Sequence, residues 1–512
     1  MNSLWRDGYE GVPSDPWPDG TDLDVVVVGA GLTGMATAVM QTTAGRSVAV
    51  VEASDLGAVT TGHTTAKVSL LQGTLLSSLL SVHSPKVARA YVDSNHQAQQ
   101  WLAAYTAEHG VEMPRADAFT FAETPEQRDA ARAEHDAAAS LGLDVDWTDE
   151  VELPFETFGA VRLRDQFQVQ PMTLLQAMAD DLRERGGLLL QHVRVLGVDA
   201  GRDMSRVRTT RGDLTARAVV LATGIPVLDR GLYWAKLTPH RSYALAFETP
   251  FEPPPGMYLS AGSSTRSVRR AASPDGAPLL LVGGNGHVVG REREPSRRLD
   301  ELRAWALERF PGARETHWWA AQDYMTHDHV PFVGGLARSH GAVSLATGFN
   351  KWGMTNGVAA ALRIRGEALG DRPPWAGVLG RRITHPRVFA EGVGFNVTTG
   401  FEAARGWAGV AARAAGSAVR GNGCPIGPVC THLGGVLRWN ELEHSWDCPL
   451  HGSRFDAGGA VIEGPATPAP APARVAPASP LSLTLLLWSS GVSRPKRQAH
   501  GGGGLRRLRL PR

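Results

Sequence analysis

The 512-residue chain is predicted to be α/β: a nucleotide-type βαβ domain interleaved with an α+β domain, followed by a small β unit near the C-terminus. Three observations carry this. Residues 24–52 spell strand, G-x-G-x-x-G, helix, strand, acid; residues 236–290 alternate apolar and polar; and a C-x-H…C-x-x-H pairing stands at 430–451. Hydrophobic content of 43% and charged content of 20% are those of a globular protein. A chain this long calls for about two to four domains. The net charge of +1 argues against a nucleic-acid surface as the main partner. Residues 1–22 form a Pro- and Asp-rich leader without the apolar core of a secretory signal, and no apolar stretch reaches the ~18 residues of a membrane span. A cytoplasmic chain with no membrane span is expected.

The first element is the run Asp24-Val25-Val26-Val27-Val28, continuous as a buried parallel strand should be. It enters Gly29-Ala30-Gly31-Leu32-Thr33-Gly34, then an apolar-periodic helix ending near Gly45, then a second strand, Val48–Val51, closing on Glu52. Gly29 permits the turn, Gly31 lets the main chain touch a pyrophosphate, and Gly34 lets helix and strand pack closely. The helix N-terminus offers N–H groups and a positive dipole end to that pyrophosphate. Glu52 can accept ribose hydroxyls and would repel a 2′-phosphate, which argues against NADP. The glycine string alone would be weak; in this order it is strong. FAD and NAD both satisfy it, as would a βαβ unit without ligand.

Later segments choose between them. Thr60-Thr61-Gly62-His63-Thr64-Thr65-Ala66-Lys67 is rich in hydroxyls and small residues; Ala218–Gly224 reads as a late strand ending in Ala222-Thr223-Gly224; and Gly348-Phe349-Asn350-Lys351-Trp352-Gly353-Met354-Thr355 enters a helix over 358–369. There is no second G-x-G-x-x-G for a nicotinamide. Together these resemble the D-amino-acid-oxidase-like FAD-dependent oxidoreductases over roughly residues 24–370. The resemblance implies a Rossmann-like FAD-binding domain of the two-dinucleotide type. It also implies that Thr61, Thr64 and Thr65 run under the ribityl and pyrophosphate, and that Ala222, Thr223 and Gly224 stand beside the adenine half, with a backbone contact from Val193. The segment holding Gly348, Gly353, Met354 and Thr355 would aim a helix N-terminus at the pyrimidine end of the flavin. Lys351 could add a full charge there or simply face solvent.

Between these pieces the sequence changes character. Ser84-Pro85 starts a helix running to Gly110, and Thr124–Gln127 starts another ending near Gly142. Ser242–Phe247, Ser267–Ala271 and Leu279–Val282 alternate as antiparallel strands do. The expected organisation is an oxidoreductase domain over 23–375, with FAD-binding pieces at 24–78, 160–230 and 320–372. Substrate-domain pieces at 79–159 and 231–319 would form a sheet roofing the flavin. On a roof strand, Arg241 could grip a substrate carboxylate with its two-pronged guanidinium, or serve in an edge salt bridge. Tyr243 accompanies it, and His287 follows a glycine-rich run as a site residue or a satisfied polar group. His327 and His329 flank Asp328, where strand alternation would turn both imidazoles the same way.

Residues 376–423 read as a connector with one amphipathic stretch, Phe401–Ala415. Then come Cys430-Thr431-His432-Leu433-Gly434 and Cys448-Pro449-Leu450-His451-Gly452-Ser453-Arg454-Phe455. Each loop mixes one thiolate with one imidazole, whereas zinc fingers usually group like with like; tetrahedral Cys2His2 zinc is the competing reading. The loops resemble the cluster-binding loops of Rieske [2Fe–2S] proteins. The resemblance implies that Cys430 and Cys448 hold one iron and His432 and His451 the other. The disulfide that ties such loops together in some Rieske proteins is absent, its positions being Gly435 and Leu450. Cys424 is the only other cysteine and reads as a free thiol, as suits a reducing compartment. The Rieske-like region spans 424–465 and is short of the strands expected before its first loop, so the domain is read as a shortened, incomplete β unit. Residues 466–512, Ala/Pro-rich and then Arg-rich, have the composition of a disordered tail.

The whole resembles an oxidoreductase that takes a hydride from a small amine or amino acid onto flavin and hands electrons singly to the [2Fe–2S] centre and a downstream acceptor. No strong catalytic base is required. Two rivals remain: an oxidase using oxygen beside a vestigial cluster region, and an electron-transfer module without its own substrate.

Overall fold

The computed structural model describes residues 2–381, 385–415 and 429–468. The valine run is buried as the strand Asp22–Val28, parallel to Asp213–Leu221 on one side and to Val48–Val51 on the other. It lies inside an eight-stranded sheet whose main path is Phe332–Gly335, Val343–Thr347, Asp213–Leu221, Asp22–Val28, Val48–Val51, Leu188–Leu190, with Ser205–Thr209 and Val195–Asp199 added as an antiparallel hairpin on Asp213–Leu221. Along the main path only the first strand pairs antiparallel to its neighbour. The helices Leu32–Thr43 and Gly353–Leu369 pack together over the sheet, and Gly34 is what allows the first to sit so close. A Cβ there would lie 1.9 Å from the Gly29 carbonyl oxygen.

The second sheet is nine-stranded and mixed. Its order is Arg314–Thr326, Leu237–Glu248, Pro278–Val288, Arg266–Ala272, Met257–Ser260, Arg115–Phe121, Ala160–Gln168, Lys67–Val68, with Val145–Thr148 also paired to Ala160–Gln168. Leu245, Phe247, Tyr258, Val268, Leu280 and Phe310 form the buried core on its outer face. The two helices read from Ser84-Pro85 and Thr124-Pro125 are present as Pro85–Glu108 and Arg128–Ser140, the latter preceded by a 3-10 turn. Proline fixes the first turn in both.

The amphipathic stretch expected at 401–415 proves to be the end of a longer helix, Pro386–Ala415. Gly392, Gly394, Gly400 and the Thr398-Thr399 pair hide its first half, because such residues are poor helix formers; packing supplies what propensity lacks. Thr399 is buried and accepts a hydrogen bond from Arg291 (2.7 Å). Among the described residues, no helix is long and apolar enough to cross a membrane.

The C-terminal unit is a four-stranded antiparallel sheet, Arg438–Asn440, Ser445–Asp447, Arg454–Phe455 and Val461–Glu463, with an isolated bridge between Val429 and Val436. Residues 416–428, where strands are sparse in the sequence, and Cys424 lie outside the described residues. So does the tail from 469, although Ala466 is packed inside the unit, which therefore runs past the boundary expected at 465.

A buried ion network joins this sheet to the roof. Arg241 reaches Glu443 through a bidentate pair and Glu463 at 3.1 Å, while Arg454 reaches Glu443 (2.9 Å), Asp447 (3.0 Å) and Glu463 (2.8 Å). The expectation that Arg241 takes a substrate carboxylate is thereby overturned: at 3% exposure its fork is already filled by carboxylates of the C-terminal unit. His287 is likewise occupied, its Nε2 paired with the Tyr243 hydroxyl at 3.0 Å.

Candidate functional site

A cavity of about 500 Å³ runs between the two sheets. At one end stand Gly29, Gly31, Leu32, Thr33, Glu52, Val193, Ala222, Thr223 and Gly224, all from strand ends and turns of the parallel sheet. This is where an open parallel sheet presents its ligand crevice. Glu52 is held rigidly, its carboxylate accepting the N–H groups of Ala30 (2.8 Å) and Ser54 (2.9 Å). Burial raises its pKa, against the opposing pull of those two amides. The Val193 N–H is taken by the Glu52 carbonyl at 2.9 Å, which ties this cavity residue to the end of the second strand. Thr61 caps the helix start, accepting from Leu32 N–H at 3.1 Å, and Thr64 and Thr65 continue the wall.

The middle and far end belong to the roof sheet and to the turn before helix Gly353–Leu369. Tyr243, Lys351, Gly353 and Met354 line the cavity. Gly348 and Thr355 do not: Gly348 backs onto Thr326, and the fully buried Thr355 hydroxyl accepts from Gln72 (3.2 Å) behind the wall. Lys351 adopts φ +69° and lines the cavity while keeping exposed surface. Burial lowers its pKa, and Asp323, which accepts its backbone N–H, opposes that fall.

Several lining residues escape a reading by motif. Lys67 is buried, hydrogen-bonded to Ser267, and has no carboxylate within ion-pair distance among the described residues. Burial, reinforced by Arg269, brings it down to about 7. Its only sequence signal is a lysine between apolar neighbours in the hydroxyl-rich segment. His240 is lowered to about 2 by burial and by Lys351, and His63 to about 4 by burial. His327 and His329, by contrast, lie past the end of the strand Arg314–Thr326, so alternation does not govern them. Unexpectedly, Ile462, Glu463, Gly464, Ala466 and Thr467 of the C-terminal unit also line the cavity.

The four ligand-type residues converge beside it. Cys430 and Cys448 are buried and share a hydrogen bond. That bond, with the His432 and Leu433 amides, holds Cys430 down at about 7, and the shared proton together with burial pushes Cys448 up. The His432 and His451 ring centroids are 5.2 Å apart. His432 Nε2 meets Asp229 at 2.8 Å, which fixes the ring and leaves Nδ1 for a metal. Both His451 nitrogens are buried with no hydrogen-bond partner, and burial lowers its pKa to about 3. An orphaned neutral imidazole facing paired thiols fits a metal group. No three of these residues gather round a single-ion site among the described residues. A [2Fe–2S] centre asks for only two protein ligands per iron, whereas structural zinc asks for four. Trp234 covers both imidazoles, 4.7 Å from His451 and 6.3 Å from His432. Gly435 and Leu450 do meet between the loops, since a Cβ on Gly435 would sit 2.8 Å from Leu450 Cδ1.

Cys448→Ser is expected to lower bound iron and acid-labile sulfide by about tenfold or more, because a hydroxyl at this pKa is a poor ligand for soft iron. Elemental analysis of purified protein checks this, and zinc in place of iron would overturn the cluster assignment.

Comparison with known proteins places these features. The family described as FAD dependent oxidoreductase (DAO) matches residues 24–365, and the Rieske [2Fe-2S] domain matches residues 418–479. The "Putative Rieske 2Fe-2S iron-sulfur protein YhfW" of Bacillus subtilis (strain 168) is 29% identical over 489 residues, covering 91% of this chain and 96% of that one. Among solved structures, glycine oxidase from Geobacillus kaustophilus superposes with TM-score 0.60 at 18% identity, covering 71% of this chain and 99% of that one. The L-amino acid deaminase from Proteus myxofaciens gives TM-score 0.59 at 15% identity, covering 72% and 95%.

Proposed function

Because the chain belongs to the DAO family of FAD dependent oxidoreductases and carries a C-terminal Rieske [2Fe-2S] domain, we propose that it oxidises a small amine or amino acid and passes the electrons to its cluster. FAD, when bound, supplies a two-electron acceptor, and the cluster a one-electron carrier. The parallel-sheet end of the cavity would hold the nucleotide through Glu52, Gly29, Gly31, Val193 and the 222–224 turn. Thr61, Thr64, Thr65, Gly353 and Met354 would continue along it, and Lys351 would favour negative charge on the reduced ring. Tyr243, at the roof, would meet the substrate.

The observation that carries electron passage is the contact between cavity and cluster loop. Tyr324 lines the cavity, and Gln322 Nε2 donates both to its hydroxyl (3.0 Å) and to the carbonyl of Gly452 (2.8 Å), the residue after His451. One side chain therefore separates the two sites. The amino-acid reading draws on the names of the fold neighbours and on Lys67, a buried cavity lysine with no carboxylate within ion-pair distance among the described residues. Lys67→Met should raise KM for an amino-acid substrate about tenfold, as loss of a charge-assisted hydrogen bond worth ~1.5–3 kcal/mol requires. KM for the matching carboxylate-free amine should stay unchanged.

The experiment is an anaerobic titration with amines and amino acids, following flavin absorbance and cluster EPR together. Bleaching of the flavin with reduction of the cluster is expected. Bleaching with a cluster that stays oxidised, and stoichiometric hydrogen peroxide once air is admitted, would replace this reading with that of a plain oxidase.

A further inference from the structure

The C-terminal unit does more than hold a cluster near the flavin site; its last strand is part of the flavin site's wall. Ile462, Glu463, Gly464, Ala466 and Thr467 line the cavity, and the bonds that place them run to the cluster loops, to the roof strand through Arg241 and to the parallel-sheet domain. Thr431, between the ligands Cys430 and His432, donates its hydroxyl to the Thr467 carbonyl at 2.7 Å. Ser453, two residues past His451, accepts the Ala466 N–H at 3.1 Å, and its own carbonyl accepts the Cys448 N–H at 2.8 Å. Gly464, at φ +101°, presses so close that a Cβ would lie 2.5 Å from Ser453 Cα. Glu463 is tied to Arg241 and Arg454, and the Val461 carbonyl accepts from Arg194, a cavity residue next to Val193.

We propose that cluster loading and FAD retention are energetically linked through residues 462–467. The cluster bonds both loops at once, through Cys430 and His432 on one and Cys448 and His451 on the other. Without it the loops are joined by a thiol–thiol contact and by the packing of Gly435 on Leu450, and His451 is left a buried imidazole with no partner, a state that folding penalises. Loops so loosened release Thr431 and Ser453, and with them the strand that walls the nucleotide cavity. Linkage then requires the converse: bound FAD, by holding 462–467 in place, holds the loops in their cluster-binding arrangement. The proposal needs both groups to bind and does not depend on which substrate is oxidised.

The test is FAD release from the full chain, read by recovery of free-flavin fluorescence. The cluster-free protein, made as Cys448→Ser and separately by anaerobic chelation of the native chain, is expected to bind FAD at least about tenfold more weakly than the loaded protein, a coupling within the usual range. Thr431→Val removes the clamp on Thr467 without touching a ligand. It should keep its iron and sulfide and still bind FAD several-fold more weakly. Saturating FAD should in turn slow iron loss to a chelator. Equal FAD affinity with and without the cluster, in chains whose circular dichroism shows them folded, overturns the proposal. So does a Thr431→Val protein that binds FAD like the native chain, because the link would then not run through this strand.

Discussion

Arg454→Met is expected to destabilise the C-terminal unit by about 3–5 kcal/mol, the cost of leaving buried charges without their partner. Arg454 alone bonds Glu443, Asp447 and Glu463, and all four side chains are buried or nearly so. Its removal leaves Glu443 and Glu463 to Arg241 alone and Asp447 without an ion-pair partner among the described residues. Lysine is no remedy, since a single ammonium cannot reproduce the fork that reaches three acceptors. Chemical unfolding with iron content as a second readout checks this; an unchanged midpoint and full iron would refute it. The same network sets an acid limit. Burial alone would raise the Glu443 pKa from its ordinary 4.5, but Arg241 and Arg454 outweigh it and hold the group at about 2. A depressed folded pKa contributes stability that is complete above about 4.5 and is lost as pH falls toward about 2. The C-terminal unit should therefore weaken progressively across that window, and the native chain should lose iron there before the parallel-sheet domain unfolds.

Gly34→Ala is expected to abolish FAD binding at micromolar concentrations. Its Cβ would be 1.9 Å from a backbone oxygen that belongs to the pyrophosphate turn itself, so no side-chain rotation relieves the contact. The helix must move off the strand. Overpacking costs ~1–3 kcal/mol, and the backbone case sits at the upper end. That is over a hundredfold in Kd at ~1.4 kcal/mol per decade. A colourless protein after incubation with FAD is the expected result; a yellow one with native affinity would refute it.

The pieces legible in the sequence share a property: each is specified locally. The run Val25–Val28, the three glycines and Glu52 dictate one another within a single βαβ turn, and the proline-started helices at 85 and 125 announce their own beginnings. The four cluster-type ligands were equally plain, since each loop carries its thiolate, imidazole and glycine within a few residues. What stayed hidden depends on distant partners. Arg241 looks like a free guanidinium until strands some two hundred residues later deliver Glu443 and Glu463 to it. Gly348 and Thr355 belong to the right segment but face the wrong side, which periodicity in a turn cannot reveal. Asp229 and Trp234 carry no motif at all; they matter because a loop of one domain happens to lie over the imidazoles of another.

That loop has a consequence for traffic with other molecules. The His432 side chain is 4% exposed and His451 3%, with the Trp234 indole against both rings and Asp229 on the His432 Nε2. On the described surface, the cluster loops reach solvent at Leu433, 47% exposed, beside Trp407, whose indole donates to the Gly434 carbonyl. Under the proposed function, charge would enter the cluster from within one polypeptide and leave it by the surface at Thr431 and Leu433.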